Sequence, residues 1–292
     1  MPLRRERWEL PDGDFLDVDR LAGADGQPML VVLHGLESSS ASTHVRGLLR
    51  AAHRPGWHGL AVNFRSCSGT PNRLKRSYHG GDTADLGWVI QRLAASDPQQ
   101  AICCVGLSLG GNVLLKYLGE QADRAPANLK AAVAISAPFD LAASAREFER
   151  GVWNRVYMRC LVHSLKRKTM AKLRRYPGLV DRRRLAAVRT VVEFDELVTA
   201  PLHGFADAAH YWAAASCRPF LDAIRRPTLL MNAQDDPLVP ARVLPSVASN
   251  PFLVAEFPQA GGHLGFIGGA WPARPVFWAE EQALAFCRRV VK

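Results

Sequence analysis

Apolar runs of strand length alternate with segments of helical spacing along the first half of the chain. Four runs, at 29–33, 59–63, 101–105 and 131–135, are continuous enough to be strands with both faces buried. Between them, segments 45–52, 82–93 and 109–118 repeat apolar residues at helical intervals. This alternation predicts parallel strands joined by helical crossovers.

Turn and cap residues mark several of the predicted boundaries. Near the start, residues 8–10 and 15–18 flank Pro11-Asp12-Gly13, where proline presets φ and glycine accepts the strained position, so a hairpin is predicted. Asp82, followed by Asp85 three residues later, resembles a capping box at the start of a helix.

The alternation stops after Pro138 and returns near residue 228. Residues 139–215 are rich in helix formers and contain no convincing strand, whereas 228–233 and 253–257 read as strands and 280–291 as a final helix. The sequence therefore predicts an α/β fold: one mostly parallel sheet with helices on both faces, interrupted by a helical insertion. Residues 1–138 and 216–292 would form this core, and residues 139–215 a helical lid insertion.

Composition excludes several classes of protein. Of the 292 residues, 48% are hydrophobic and 22% are charged, which is close to average globular usage and excludes a disordered chain. The cysteines show no C-x-x-C spacing, no apolar segment follows the basic N-terminus, and no apolar run approaches the ~18 residues of a membrane span. We therefore expect reduced thiols and a cytoplasmic location.

Most of the net charge of +10 lies in one short segment. Residues 161–184 contain nine lysines and arginines against one acid, Asp181. Such a block could bind nucleic acid, but it has no interleaved aromatic residues and no known binding motif, so we expect no nucleic-acid partner. Leucines 161, 165 and 173 recur at near-helical spacing, which favours a lid whose cationic outer face makes weak contact with anionic membrane surfaces.

One short motif carries a clear chemical signal. Gly106-Leu107-Ser108-Leu109-Gly110 matches G-x-S-x-G, with a predicted strand before it and a predicted helix after it. In that setting the serine has a strained backbone and its hydroxyl projects into a cleft, although a glycine-rich turn with an incidental serine has the same pattern. We interpret Ser108 as a nucleophile.

A serine hydroxyl needs a base to take its proton and a carboxylate to orient that base. His263 follows the strand at 253–257, and Asp235-Asp236 follow the strand at 228–233. The order Ser, Asp, His is the order found in α/β-hydrolases. The D-x-x-V-P spacing favours Asp236 as the acid, and Asp235 remains an alternative.

An acyl-transfer site also needs backbone N–H groups that face the developing oxyanion. The amide of Leu109, directly after the nucleophile, is one candidate, and the amide of Leu36, in the loop after the first parallel strand, is the other. His34 in that loop could be a second base, but its position favours a structural role. No ligand spacing for a metal is present, and the proposed chemistry requires no cofactor.

Longer motifs resemble the YheT-like branch of the α/β-hydrolase superfamily, and they cover most of the chain. The resembling segments are 34–37 (HGLE), 63–69 (NFRSCSG), 71–73 (PNR), 78–79 (YH), 108–112 (SLGGN), 136–138 (SAP), 193–195 (EFD), 235–237 (DDP) and 261–269 (GGHLGFIGG). Ser38 and Ser66 stand where the family pattern has glycine, which leaves the shape of the substrate open.

The resemblance implies a hydrolase of carboxylic esters, a serine esterase with Ser108, His263 and Asp236 as its triad and a small-molecule or lipid-like ester as its substrate. Two alternatives remain: a thioesterase or other acyl hydrolase, and a binding protein that has the fold without catalysis. In the loop at 65–81, polar side chains either contact a substrate or tie the loop down; they are Arg65, Asn72, Arg73, Arg76 and His79.

Overall fold

The computed structural model describes residues 2–270 and 274–292; residues 1 and 271–273, which the predicted core includes, lie outside the described residues. Within this part of the chain the strands are β1 Arg4–Glu9, β2 Phe15–Leu21, β3 Met29–Leu33, β4 His58–Val62, β5 Ile102–Leu107, β6 Leu129–Ile135, β7 Thr228–Met231, β8 Leu253–Glu256, β9 Ile267–Ala270 and β10 Arg274–Phe277. The helices are α1 Thr43–His53, α2 Thr83–Ser96, α3 Leu109–Gln121, α4 Leu141–Glu147, α5 Val152–Arg175, α6 Arg182–Ala187, α7 Val191–Phe194, α8 Ala200–Leu202, α9 Ala208–Ala215 and α10 Trp278–Val291.

In the described residues, β1 to β8 form one sheet in the order β1-β2-β4-β3-β5-β6-β7-β8. From β4 to β8 every neighbouring pair is parallel, and the hairpin β1-β2 adds two antiparallel strands at one edge. The predicted hairpin and mostly parallel sheet are confirmed. Because the strands from β3 to β8 point the same way, the loops at their carboxyl ends meet at one edge, where ligands bind in such sheets.

Alternating side chains of the strands pack into two separate hydrophobic clusters, one on each face of the sheet. In β3, Met29, Val31 and Leu33 pack in a cluster with α2 and α3, whereas Leu30 and Val32 pack in a second cluster with α1 and α10. All five side chains are fully buried, and burial of each contributes about 1.5–3 kcal/mol. The prediction of helices on both faces of the sheet is therefore confirmed.

The predicted capping box at the start of α2 is wrong. The helix begins at Thr83 as expected, but the Asp82 side chain makes no capping hydrogen bond. Its carboxylate accepts instead from Arg76 at 2.7 Å, and the Asp85 carboxylate accepts from Arg65 at 2.6 Å. Hydrogen bonds between two charged groups are stronger than bonds to neutral backbone amides, so the arginines take both carboxylates.

Residues 139–215 lie between β6 and β7, and all of them are described. They contain α4 to α9 and no strand, as the pattern predicts. Between α7 and α8 the helix passes through one π-helical turn, Asp195–Thr199. This helical segment has an apolar cluster of its own, formed by Met158, Val162, Leu173, Leu185, Val188, Val191, Phe194 and Val198.

Two glycines allow β5 and α3 to pass close to each other. A Cβ on Gly106 would lie 2.4 Å from the carbonyl oxygen of Gly110, and a Cβ on Gly110 would lie 2.6 Å from that of His34. We expect Gly106→Ala to lower the free energy of unfolding by about 3 kcal/mol, because the obstacle is backbone that cannot rotate away. Urea denaturation followed by circular dichroism measures the loss.

Gly268→Ala is the matched control for this substitution. Gly268 lies in β9 with nothing within 4 Å of a built Cβ, so this variant should stay within about 0.5 kcal/mol of wild type. Equal urea midpoints for the two variants would contradict the packing argument.

Candidate active site

Ser108 stands at the sharp turn between β5 and α3. Its backbone angles are φ 51° and ψ −119°, a region that residues other than glycine seldom occupy. The turn is held by its backbone, because the Ser108 N–H donates to the carbonyl of Ile135 at 2.8 Å and the Ser108 carbonyl accepts from Gly111 at 2.8 Å. The strain fixes the direction in which the hydroxyl leaves the sheet.

Three side chains predicted from separate parts of the sequence form one hydrogen-bonded series. The Nε2 atom of His263 lies 3.0 Å from the Oγ atom of Ser108. The Nδ1 atom of the same ring lies 2.9 Å from Oδ2 and 3.1 Å from Oδ1 of Asp236. This is the geometry in which a carboxylate orients an imidazole and the imidazole accepts a hydroxyl proton.

The two neighbouring aspartates have different contacts. The Asp236 side chain is fully buried, and its Oδ1 also accepts from the backbone amides of Leu238 at 2.8 Å and Val239 at 3.1 Å. Asp235 does not contact the imidazole; its Oδ1 accepts from the amides of Gly261 at 2.9 Å and Gly262 at 2.8 Å. Asp236 therefore faces His263, and Asp235 holds the loop that carries His263.

The loop after β3 lies directly against the serine. A Cβ on Gly35 would lie 3.2 Å from the Cβ of Ser108, so the absence of a side chain permits this approach. Leu36 and Leu109 line the same cavity as Ser108 and His263. Leu36 and Leu109 therefore border the cavity into which Ser108 opens, and the role of their amides as an oxyanion hole stays a prediction.

His34 has a structural position and not that of a second base. Its Nδ1–H donates to the Gly35 carbonyl at 2.7 Å, and its Nε2 accepts from the Phe64 amide at 3.1 Å. Complete burial lowers the pKa of the imidazole to about 4. With both nitrogens engaged, the neutral ring joins the loops that follow β3 and β4.

Sequence reasoning missed the role of Glu37, which joins three parts of the molecule. The Glu37 N–H donates to the Tyr78 hydroxyl at 2.8 Å, and this hydroxyl donates to Oε1 of Glu37 at 2.9 Å. Lys168, on α5, donates to the same Oε1 at 2.9 Å, and Ser164 donates to Oε2. The motifs HGLE and YH contain two of these residues, but only the fold shows that they meet.

The basic block is less uniformly exposed than the sequence predicts. Arg167, Arg174 and Arg175 are exposed, but Lys168 points inward to Glu37, so that part of the expected cationic face is wrong. Lys172 is also buried, where its Nζ donates to the carbonyls of residues 74, 75 and 76 at 3.1, 2.9 and 2.6 Å. The Glu37 carboxylate thus draws Lys168 inward, and the carbonyls of residues 74–76 draw Lys172 inward.

The loop at 65–81 is tied down mainly by carboxylates. The buried Arg65 contacts Asp14 at 2.9 Å and Asp85 at 2.6 Å, and Asn72 donates to the same Asp14 at 2.6 Å. Burial by itself would lower the pKa of Arg65, but the carboxylates of Asp85 and Asp12 raise it above its usual range. Ser66 adopts φ 66°, which explains why glycine is expected there.

A cavity of about 120 Å³ opens beside Ser108 and His263. Most of its wall is apolar, and the helical segment supplies Leu141, Phe148, Leu165, Phe194 and Val198. Burial lowers the pKa of two lining imidazoles, that of His79 to about 4 and that of His203 to about 3. Both imidazoles are therefore neutral at pH 7.

Within the described residues, no group of three or more histidine, cysteine, aspartate or glutamate side chains is arranged to hold a metal ion. No helix in this part of the chain has the length and apolar character that crossing a bilayer requires. The cytoplasmic location expected from the sequence stays a prediction.

Comparison with known proteins decides the family. Residues 28–270 match the family model described as the alpha/beta hydrolase fold. Over 283 residues the chain is 42% identical to a candidate esterase of Escherichia coli (strain K12) called YheT, and the match covers 95% of this chain and 82% of that protein. The chain is a YheT-like α/β-hydrolase. Both the expected fold class and the expected family are confirmed.

Other relatives of this YheT-like hydrolase are longer. A monoacylglycerol lipase of Saccharomyces cerevisiae is 31% identical over 285 residues, which cover 94% of this chain and 62% of the lipase. Among solved structures, the Pyrococcus furiosus esterase Pf2001 superposes with a TM-score of 0.65 at 17% identity, and the match covers 100% of this chain and 91% of that one. At that identity the likeness shows the fold alone.

Because Asp236 and Asp235 of the YheT-like hydrolase have different contacts, replacing each by asparagine should affect kcat differently. Asp236→Asn should lower kcat by about 10⁴, because the amide favours the wrong imidazole tautomer and cannot balance the imidazolium. Asp235→Asn should lower kcat less than about tenfold, since its Oδ1 still accepts from the glycine amides. Steady-state turnover of a p-nitrophenyl ester measures both, and the reverse ranking would move the acid to Asp235.

The buried imidazole of His34 predicts loss of stability in acid. Above pH 6.5 the ring is neutral in both states; below it the unfolded chain takes up the proton first, so stability falls as pH drops from 6.5 to about 4. The loss should reach roughly 3 kcal/mol. In urea denaturation at pH 7 and pH 4.5, His34→Gln should show a smaller difference than wild type; an equal difference would refute this assignment.

Proposed function

We propose that this YheT-like hydrolase is a serine esterase that cleaves carboxylic esters through an acyl-enzyme intermediate. One observation carries the proposal: the continuous hydrogen-bonded series from Ser108 through His263 to Asp236, which opens into a largely apolar cavity. The names of the relatives from Escherichia coli and Saccharomyces cerevisiae, an esterase and a lipase, support the same class of reaction.

In the proposed first half-reaction the Oγ atom of Ser108 attacks the ester carbonyl carbon while Nε2 of His263 takes the hydroxyl proton. Asp236 keeps the Nδ1 proton in place and balances the imidazolium charge. The amides of Leu36 and Leu109 donate to the carbonyl oxygen as it becomes negative. The imidazolium then gives its proton to the departing alcohol, and the acyl group remains on Ser108.

In the second half-reaction a water molecule replaces the alcohol. His263 takes a proton from the water, the resulting hydroxide attacks the acyl carbon, and the proton returns to Oγ of Ser108 as the acid leaves. No metal or cofactor takes part in either half-reaction.

The proposed substrate is a small or lipid-like ester with an uncharged body. The wall of the cavity beside Ser108 is mostly apolar and its two lining imidazoles, His79 and His203, are neutral, so the cavity favours a hydrocarbon body. We further propose that residues 139–215 act as a lid, because α4, α5 and α7 supply one wall of the cavity. The cations left exposed on this lid would make weak, salt-sensitive contact with anionic surfaces.

Ser108→Ala is expected to abolish ester turnover and leave the fold unchanged. Loss of the nucleophile in a coupled triad lowers kcat by about 10⁴ to 10⁶. The measurement is a panel of p-nitrophenyl esters from short to long acyl chains, run on wild type and variant, with matching thioesters to separate the two acyl classes.

Fluorophosphonate labelling of wild type, absent in Ser108→Ala, provides the control that the same hydroxyl reacts. Turnover near the wild-type rate in the variant would contradict the proposal. Absence of turnover in both proteins, without labelling of either, would indicate a binding protein with the hydrolase fold.

A further inference from the structure

The first turns of α5 present large apolar side chains to solvent. Val152, Trp153, Val156 and Tyr157 are exposed by 70%, 82%, 44% and 46%. At 3.6 residues per turn these positions lie on one face of the helix, opposite the buried Met158 and Val162. We call these four side chains the apolar stripe. An exposed tryptophan among aliphatic neighbours is unusual on a soluble surface.

The apolar stripe stands at the opening of the active site. Trp153 and Tyr157 line a surface cavity that also reaches Ser108 and His263. Asn154 lies in the same turns of α5 but on another face, and its Nδ2 donates to the carbonyls of Glu147 and Pro237, both at 2.9 Å. Because Pro237 follows Asp236 in the chain, these bonds fix the start of α5 beside the triad.

The exposed face of α5 continues from apolar to cationic side chains. Arg167, Arg174 and Arg175 are exposed and share the angular sector of the apolar stripe, about three to six turns further along the helix. Arg155 and Arg159 are also exposed and flank the stripe itself. Tryptophan with aliphatic residues, bordered by arginines, is the composition of helices that lie in the headgroup region of a bilayer.

We propose that this face of α5 docks the enzyme on an anionic lipid bilayer. The apolar stripe enters the headgroup region, and Arg167, Arg174 and Arg175 face the lipid phosphates. A lipid-borne ester then leaves the bilayer next to the opening that Trp153 and Tyr157 line. The proposal rests on the proposed esterase function for its purpose, although docking itself needs no turnover.

Charge selects the bilayer over a second copy of the chain. In a symmetric dimer whose two-fold axis passes through the apolar stripe, the stripe meets itself and the arginines further along each helix are left outside the contact. An anionic surface instead attracts every one of these cations, and the stripe buries apolar area at the same time. Nucleic acid would satisfy the arginines but would leave Val152 and Val156 exposed.

The test uses the 292-residue chain with Ser108→Ala, so that the lipids of the vesicles are not hydrolysed. Binding is measured by co-sedimentation with vesicles of phosphatidylcholine alone or with about 30 mol% phosphatidylglycerol, which gives the vesicle a negative surface potential. We expect binding to the anionic vesicles, weaker binding to neutral ones, and release by salt. Absence of binding to the anionic vesicles would overturn the proposal.

Two pairs of variants, each in the Ser108→Ala protein, locate the surface. Trp153→Ser should weaken vesicle binding about tenfold, whereas Phe252→Ser, at the amino end of the edge strand β8, should not. Arg167→Gln with Arg174→Gln and Arg175→Gln should weaken binding more than Arg182→Gln with Arg183→Gln and Arg184→Gln. Equal losses within either pair would overturn the proposed orientation.

Light scattering tests whether the apolar stripe binds a second copy of the chain instead of a bilayer. A concentration-dependent dimer of wild type that Trp153→Ser abolishes would assign the stripe to a second copy and overturn the proposal. The ester panel described above is read in solution without vesicles. Absence of ester turnover would therefore contradict the esterase function and would not affect the docking result. Absence of vesicle binding would contradict docking and would not affect the turnover result.

Discussion

The close crossing of backbone at the strained turn of Ser108 is the constraint on which the site depends. The turn brings Gly106, Gly110 and the carbonyl of His34 within a distance that no side chain could share. Because β3 and β5 are adjacent parallel strands, the loop after β3 is forced against the nucleophile at this same point. The fold therefore brings the Ser108 hydroxyl, the loop after β3 and the N-terminus of α3 to the same place.

Glu37 extends this constraint to the helical segment. Its side chain accepts from Tyr78 in the loop at 65–81 and from Lys168 on α5, so the loop beside the nucleophile is fixed from two directions. Burial lowers the pKa of Lys168, but the neighbouring Cys67 and Glu37 outweigh that effect and raise it. The lysine therefore stays charged, and the position of α5 is coupled electrostatically to the loop that carries Leu36.

The sheet, its crossovers and the identity of the three polar residues could be predicted from the sequence, because each leaves a local mark: a buried run, a glycine pair, a residue after a strand. Contacts between distant segments leave none. The sequence does not show that Lys168 and Lys172 turn inward while the neighbouring Arg167 is exposed. Only the folded structure shows which cations contact oxygen atoms. For the same reason Asp82 resembles a helix cap, while in the structure its carboxylate meets Arg76.

The distance along the chain between the hydroxyl and its base has a consequence for how activity arises. Ser108 and His263 are 155 residues apart, yet their reactive atoms lie 3.0 Å from each other. Contacts of such long sequence separation carry a high loop-closure entropy and form late in folding. Activity should therefore return only after the whole sheet has assembled from β5 to β8, so recovery of turnover after dilution from denaturant reports the last step of refolding and not the collapse that precedes it.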